Sequence, residues 1–184
     1  LPYKFEEIQN KIPFLYANNN FEIPALSTNK NNIILIPGSS HSSKCYPVES
    51  FAELTYLLDA NYIIIWGSKE EKSLAISIQN IAPSVTICEK LSILGLVDLI
   101  SKSDLVIGPD SGPTHFSWAL NVPSITLFGS TPGYRNTFLT SNNKIIESKS
   151  DVNPTSIDKK DYSIAEIKPI EISDLAKNIL DHAI

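Results

Sequence analysis

The stretch that decides the fold runs from residue 107 to residue 129 and reads IGPDSGPTHFSWALNVPSITLFG. Its pattern predicts a strand, a tight polar turn, a short helix, a second strand and a glycine turn. The turn places a carboxylate, two hydroxyls, a glycine and an imidazole beyond a strand end, on Asp110, Ser111, Thr114, Gly112 and His115. An open parallel sheet binds its ligands there, beyond the carboxyl ends of its strands. A polar turn that opens into a helix favours binding of an anionic sugar nucleotide.

On both sides of this stretch, short apolar segments alternate with helical ones. Strands are predicted over 33–36, 62–66, 84–88, 105–107, 124–128 and 144–147, and helices over 48–60, 68–81, 92–101, 113–120 and 172–184. Ser92 and Ser173 are predicted to cap two of the helices. The strands are apolar without inside-outside alternation, which is typical of strands buried on both faces. We therefore predict an α/β fold with a doubly wound, Rossmann-like parallel sheet.

The predicted domain organisation has three parts. Residues 1–32 are interpreted as an interdomain helix and linker, because Phe5 and Ile8 share helical spacing with Ile12 before a polar stretch. Residues 33–147 form the α/β domain, and residues 148–184 form a polar loop and a closing helix. The chain opens without a methionine and contains none, so we expect a fragment that lacks its N-terminal part.

The composition argues against several classes of function. The net charge is −5 and the basic residues are scattered, so nothing indicates nucleic-acid binding. No window reaches about 18 consecutive apolar residues, so no membrane-spanning helix is predicted. Cys45 and Cys88 lack C-x-x-C spacing and are expected to be free thiols in a reducing cytosol. The three histidines are isolated and no Asp-x-Asp pair occurs, so we expect no metal site and no cofactor.

Three more loops at predicted strand ends contain candidate binding residues. After the first strand, the hydroxyls of Ser39 and Ser40 and the ammonium of Lys44 can hold a pyrophosphate. Taken alone, this composition favours a solvated turn, and the loop lacks the glycines of a Walker A motif. Glu71 lies in the first turn of a helix, where it can accept hydrogen bonds from ribose hydroxyls or simply complement the helix dipole. After the third strand, Leu91 offers an apolar wall.

The turn at residues 110–115 also admits a structural interpretation. Asp110 and Ser111 can serve only as helix caps. His115 has no packing purpose that an apolar residue would not serve better, and helix N-termini disfavour an imidazolium. We therefore predict a neutral His115 that donates a hydrogen bond to a sugar or phosphate oxygen. No Gly-x-Gly-x-x-Gly follows the first strand, which argues against a nicotinamide site, and Ser111 lacks the Gly-x-Ser-x-Gly setting of a hydrolase.

Four segments match the motifs of one known family at its spacing, and they are Pro37–Pro47, Ile65–Glu71, Gly108–His115 and Ala119–Gly129. The third contains the family's Asp-Ser/Thr-Gly-x-x-His signature. Together, from about Asn32 to Phe128, they resemble the C-terminal half of a bacterial ADP-heptose:lipopolysaccharide heptosyltransferase, a glycosyltransferase of family 9 with the GT-B fold. Trp66 followed by Gly67 resembles the Trp-Gly pair at a strand end in the heptosyltransferase I branch. The chain departs from the pattern at Tyr46, where the family has Trp, and after residue 129, where the family has Gly-Pro-Thr-Asp-Pro and this loop has no acid.

The resemblance implies a role for each candidate residue. The chain would be the C-terminal domain of a GT-B enzyme and would bind the ADP-heptose donor. The implied contacts are Ser39, Ser40 and Lys44 with the diphosphate, Glu71 with the ribose, Leu91 with adenine, Asp110 with heptose hydroxyls, and Ser111, Gly112 and His115 with the phosphates and sugar.

The resemblance also implies an inverting, metal-independent transfer of heptose to the Kdo–lipid A inner core in lipopolysaccharide synthesis. The reaction would take place in the cytoplasm at the inner face of the inner membrane, and the full-length protein would associate peripherally with that membrane. The family's general base is an aspartate of the N-terminal half, so no catalytic residue is expected in this chain. Two alternatives stay open: a protein acceptor for the same chemistry, and a non-catalytic flavodoxin-like interaction module in which Asp110 is only a cap.

Overall fold

The structure is a computed structural model that describes residues 11–18, 21, 25–137, 139–153 and 155–182. Within these residues, strands and helices alternate along the chain. The strands are β1 (Asn32–Leu35), β2 (Asn61–Ile64), β3 (Thr86–Ile87), β4 (Leu105–Pro109), β5 (Ser124–Phe128) and β6 (Asn143–Glu147). The helices are α1 (Val48–Leu57), α2 (Lys69–Ile81), α3 (Ile93–Ser101), α4 (Gly112–Leu120), α5 (Gly133–Asn136) and α6 (Pro169–His182), with short 3-10 turns at Ser42–Lys44 and Ser163–Glu166.

The strands form one parallel sheet in the order β3-β2-β1-β4-β5-β6. At its centre, Ile33 of β1 pairs with Tyr62 of β2 on one side and with Leu105 of β4 on the other. The chain moves outward from β1 to β3 and then crosses back to β4, so the strand order reverses between β1 and β4. This confirms the predicted doubly wound sheet, and it leaves a crevice beyond the carboxyl ends of those two strands.

Both faces of the sheet are covered, which explains the lack of alternation in the strands. Ile33 and Leu35 of β1 lie in the core that α1, α2 and α6 cover. Ile34 and Ile36 lie in the opposite core, against α3 and α4. Each strand residue is therefore buried whichever way its side chain points, and an apolar residue is favoured at every position.

The helix that closes the chain begins earlier than predicted. It starts at Pro169, and Ser173 lies inside it, where the buried hydroxyl donates to the carbonyl oxygen of Leu57 at 3.3 Å. The prediction of Ser173 as an N-cap is therefore wrong, because a proline already suits the first turn of a helix. At α3 the corresponding prediction is confirmed, since Ser92 Oγ accepts from the Gly95 amide at 3.1 Å.

The residues before β1 run along α3 and α4. The amides of Phe14 and Leu15 donate to the carbonyl oxygen of Ala119 at 3.0 and 3.3 Å, and the Asn18 amide donates to Asp98 Oδ1 at 2.9 Å. Residues 11–18 have no regular secondary structure and Ile12 is exposed, while Phe5 and Ile8 of the predicted helix lie outside the described residues. The predicted boundaries near residues 32 and 147 stay predictions. Of the helices described, none has the length and apolar character needed to cross a membrane.

Candidate functional site

A cleft of about 560 Å³ opens beyond the carboxyl ends of β1, β2 and β4, at the point where the strand order reverses. All nine candidate residues predicted from the sequence line it, and they are Ser39, Ser40, Lys44, Glu71, Leu91, Asp110, Ser111, Gly112 and His115. The fold therefore brings together residues from four separate loops, as the sequence analysis expected. Their roles toward a ligand stay predictions.

One end of the cleft is organised around the buried carboxylate of Asp110. Lys44 Nζ lies 2.7 Å from Asp110 Oδ2, and the side chains of the two residues are 11% and 8% exposed. The Asn136 amide donates to the same oxygen at 2.8 Å, and His115 Nε2 lies 3.1 Å from Oδ1. The Ser39 hydroxyl donates to the backbone carbonyl of Asp110 at 2.9 Å, which joins the loop after β1 to the loop after β4.

The charges around Asp110 keep it ionised. Burial raises the pKa of this carboxyl, but hydrogen bonds from His115 and Lys44 and the positive charge of Lys44 outweigh burial and lower the pKa to about 2. A buried carboxylate normally requires such partners, because an unpaired buried charge is costly. Asp110 is therefore more than a helix cap: it is the acceptor that gathers three side chains at one end of the cleft.

The protonation of His115 follows from its neighbour. An ionised carboxylate only accepts hydrogen bonds, so the contact with Asp110 places a proton on Nε2 of His115. In the neutral imidazole, Nδ1 is then an acceptor toward a ligand hydroxyl, and only the protonated ring donates from both nitrogens. The role predicted from the sequence, a neutral His115 that donates to a sugar or phosphate oxygen, stays a prediction. The side chain is 46% exposed, which leaves Nδ1 within reach of a ligand.

The first turn of α4 follows Asp110 directly and also lines the cleft. Ser111 is the residue before the helix, and its amide donates to Thr114 Oγ1 at 3.1 Å. Its own hydroxyl oxygen faces the Thr114 amide in a capping box but is buried without a full hydrogen bond among the described residues, although the residue lines the cleft. A Cβ added at Gly112 would have no neighbour within 4 Å. The turn therefore offers an unpaired hydroxyl and an open backbone at a helix N-terminus, where anions are favoured.

Glu71 lines the cleft beside Gly38 and has a structural role there. Its Oε2 accepts from the amides of Gly67 and Ser68 at 2.6 and 3.1 Å, which forms a capping box at the start of α2. A Cβ at Gly38 would meet Glu71 Oε1 at 2.5 Å, so the absence of a side chain at Gly38 makes room for this carboxylate. One oxygen caps the helix and the other lies beside Gly38, and the contact of Glu71 with a ribose stays a prediction.

The remaining wall of the cleft is mostly apolar, although Glu89 and Ser92 also line it. Leu91 lines it together with side chains from the ends of β1 and β2 and from α3, and these are Ile36, Ile65, Ile93 and Leu96. Trp66 closes one side, with its indole nitrogen donating to the carbonyl oxygen of Cys88 at 2.8 Å and Lys72 Nζ 4.7 Å from its ring. A flat apolar slot of this kind suits an aromatic ring system.

Asn136 belongs to the site but was not predicted from the sequence. It lies at the end of α5, beyond the loop that lacks the family's acid, and its contact with Asp110 spans 26 residues of chain. No periodicity or motif indicates that contact. Tyr46, which replaces the family's Trp, is buried, packs on Phe51 and donates to the carbonyl oxygen of Ile167 at 2.7 Å, so its role is packing beneath the site.

The family model described as glycosyltransferase family 9 (heptosyltransferase) matches residues 2–163. The chain belongs to this family. The matched range contains every residue of the cleft named above, so the family 9 match covers the whole site.

Among the relatives of this family 9 chain is lipopolysaccharide heptosyltransferase 1 of Campylobacter coli. The two are 38% identical over 164 residues, which cover 84% of the chain and 48% of that relative. The chain thus spans about half the length of this curated relative.

Two solved structures have the same fold as the family 9 chain. The family 9 glycosyl transferase of Veillonella parvula gives a TM-score of 0.70 at 19% identity and covers 84% of the chain, which spans 47% of it. The E. coli heptosyltransferase WaaC, solved with ADP, gives 0.69 at 19% identity, with 84% and 46% covered. These likenesses confirm the predicted fold class, a parallel α/β domain of the GT-B type.

Proposed function

We propose that this chain is the donor-binding half of an inverting heptosyltransferase that transfers heptose from ADP-heptose to the Kdo–lipid A inner core of lipopolysaccharide. The observation that carries the proposal is the single cleft in which Lys44 and His115 meet on one carboxylate, opposite an apolar slot. Membership of family 9 gives the reaction class, and the names of the relatives supply the heptose and the lipopolysaccharide.

The apolar end of the cleft is proposed to bind the adenosine. Adenine would lie against Leu91 and the isoleucines that line the same wall. Burial of the faces of the adenine ring would provide affinity there, because the hydrophobic effect is not directional. The ribose hydroxyls would then come within reach of Glu71. Because Oε2 of this carboxylate is held by two backbone amides, the ribose would be recognised by Oε1.

The polar end is proposed to bind the diphosphate and the sugar. Within the described residues, the ammonium of Lys44 has a hydrogen bond to Asp110 alone, so two of its three N–H donors are available to phosphate oxygens. The unpaired Ser111 hydroxyl and the first turn of α4 add further donors. The heptose would lie over Asp110 and His115, where hydroxyl groups can donate to the carboxylate and to Nδ1.

In the proposed transfer, the acceptor hydroxyl attacks the anomeric carbon as the bond from that carbon to the diphosphate breaks. The leaving ADP gains negative charge, which Lys44 and the first turn of α4 would stabilise. The acceptor proton would pass to a general base, which we place in a part of the protein that precedes this chain. We further propose that the full-length protein works in the cytoplasm, associated peripherally with the inner face of the inner membrane.

Titration calorimetry of the chain with ADP and with ADP-heptose tests the proposal. We expect both to bind, and we expect His115→Ala to weaken binding of ADP-heptose by roughly 0.5–1.5 kcal/mol, the value of a hydrogen bond between uncharged groups. His182→Ala is the matched control, because His182 is an exposed histidine at the end of α6. Gly112→Ala should leave the free energy of unfolding unchanged, since its Cβ has open space, and weaken ADP binding if the diphosphate approaches that backbone closely.

The proposal fails if folded protein, judged by circular dichroism, binds neither nucleotide at millimolar concentration. That result would instead support the non-catalytic interaction module. Equal losses of binding in the His115 and His182 variants would show that the cleft is not where the ligand binds.

A further inference from the structure

We infer that Asn136 is a positioning residue for the sugar half of the donor, because it orients the Asp110 carboxylate. The inference rests on the proposed function, in which Asp110 recognises the transferred sugar. It adds a residue from α5, the helix that follows the loop after β5.

The hydrogen bonds around Asp110 leave room for one more partner. A carboxylate has about four acceptor positions, two on each oxygen. Lys44 and Asn136 occupy both positions on Oδ2, and His115 occupies one on Oδ1. The position that remains is on Oδ1, and Asp110 lines the cleft, so this lone pair is the one that a sugar hydroxyl can use. Without Asn136, Oδ2 keeps only the donor of Lys44 and gains an empty position, so each oxygen has a single donor and the carboxylate plane is less restricted.

The orientation of Asn136 is itself determined by its neighbours. Arg135 Nε donates to Asn136 Oδ1 at 3.1 Å, while Asn136 Nδ2 donates to Asp110 at 2.8 Å. An arginine can only donate and an ionised carboxylate can only accept, so both contacts require the same placement of the amide nitrogen and oxygen. The pair of contacts makes a short chain of hydrogen bonds from the surface to the cleft.

The backbone that carries Asn136 is held firmly in place. The Gly133 amide donates to Glu147 Oε1 at 2.8 Å, and the Thr137 amide donates to the Gly133 carbonyl at 3.0 Å. A Cβ at Gly133 would come within 2.8 Å of Ile145 Cδ1, so α5 packs closely on β6. Asn136 therefore reaches Asp110 from a fixed base.

The test compares the affinities for ADP-heptose and ADP, because ADP lacks the sugar that Asp110 would recognise. In Asn136→Ala we expect the affinity for ADP-heptose to fall about tenfold and that for ADP to change less than about twofold, a selective loss that a general loss of structure would not produce. Asn178→Ala, an exposed asparagine of α6, is the matched control. In the background of Asp110→Ala, the alanine substitution at position 136 should cause no further change in the affinity ratio, since the side chain that Asn136 orients is absent.

Each result has a distinct meaning. Equal losses for both nucleotides in Asn136→Ala, or no loss for either, would overturn the positioning role while leaving the donor site in place. A further change of the ratio in the double variant would also overturn it, because Asn136 would then act independently of Asp110. Failure of the unsubstituted chain to bind ADP would overturn the proposed function, and this inference with it.

Discussion

Replacing Lys44 with methionine removes the cation that faces the buried Asp110 carboxylate while keeping most of the side-chain volume. Both side chains are nearly buried at the edge of the cleft, so water replaces the lost partner only in part. Breaking a buried ion pair from one side costs about 3–5 kcal/mol, because an uncompensated charge is left behind. His115 and Asn136 still donate to the carboxylate in the variant, so we expect the lower end of that range, about 3 kcal/mol.

Urea unfolding at pH 7, followed by tryptophan fluorescence and circular dichroism, measures the free energy of unfolding. The double variant Lys44→Met with Asp110→Asn should recover most of the loss and lie within about 1 kcal/mol of the unsubstituted protein, because the amide carries no charge. Its oxygen can accept from Asn136, and its nitrogen can donate to the other tautomer of His115. Lowering the pH should also reduce the defect of the single variant, because protonation of Asp110 removes the unpaired charge.

Lys30→Met is the control, because Lys30 pairs with Asp59 on the surface, with both side chains largely exposed. Lys30→Met should lower the free energy of unfolding by less than about 1 kcal/mol, as for other exposed ion pairs. The predicted cost of the unpaired carboxylate is wrong if Lys44→Met lowers the free energy of unfolding by less than about 1 kcal/mol. It is also wrong if the double variant is no more stable than Lys44→Met alone.

Three more predictions concern the same site. The free energy of unfolding of the unsubstituted protein should fall by about 2 kcal/mol as the pH drops from about 4 to 2. The pKa of Asp110 is lowered in the folded state, so its stabilising effect is lost when the carboxylate takes up a proton. Urea unfolding at several pH values measures this decrease, and Asp110→Asn should lack it. Gly38→Ala should displace Glu71 from its capping box, so both the melting temperature and the affinity for ADP should fall, and an unchanged ADP affinity would argue against a ribose contact. Gly108→Ala should destabilise the fold by more than Gly38→Ala, because its Cβ would meet Ile36 Cβ at 2.6 Å, where two neighbouring strands cannot move apart without breaking the sheet; equal melting temperatures would contradict this.

The alternation of elements was predictable because each signal for it is local. Apolar runs such as Ile33–Ile36 are buried on both faces, and their composition alone indicates a covered parallel strand. The nine cleft residues were predictable for a related reason: in a parallel sheet the carboxyl ends of neighbouring strands lie on one edge, so residues that follow different strands meet there. The capping box at Ser68 and Glu71 likewise depends on a spacing of three residues.

What could not be predicted depends on contacts between distant parts of the chain. Asn136 lies in a four-residue helix that has no periodicity to read, and its partner precedes it by 26 residues. The protonation of His115 also depends on such a contact, because it follows from the carboxylate that its ring meets. The start of α6 was predicted late because Ser173 has the chemistry of a cap, whereas in the folded protein its hydroxyl bonds to Leu57 across the helix interface.

The segment that enters the domain is tied to the far side of the elements that form the cleft. Phe14 and Leu15 bond to the last turn of α4, and Asn18 bonds to the middle of α3, while the opening turns of both helices border the ligand space. Each helix has nine residues and acts as a stiff rod about 13 Å long. We therefore expect a change in residues 11–18 to act on α3 and α4 at positions away from the cleft and to reach the cleft only through these two helices.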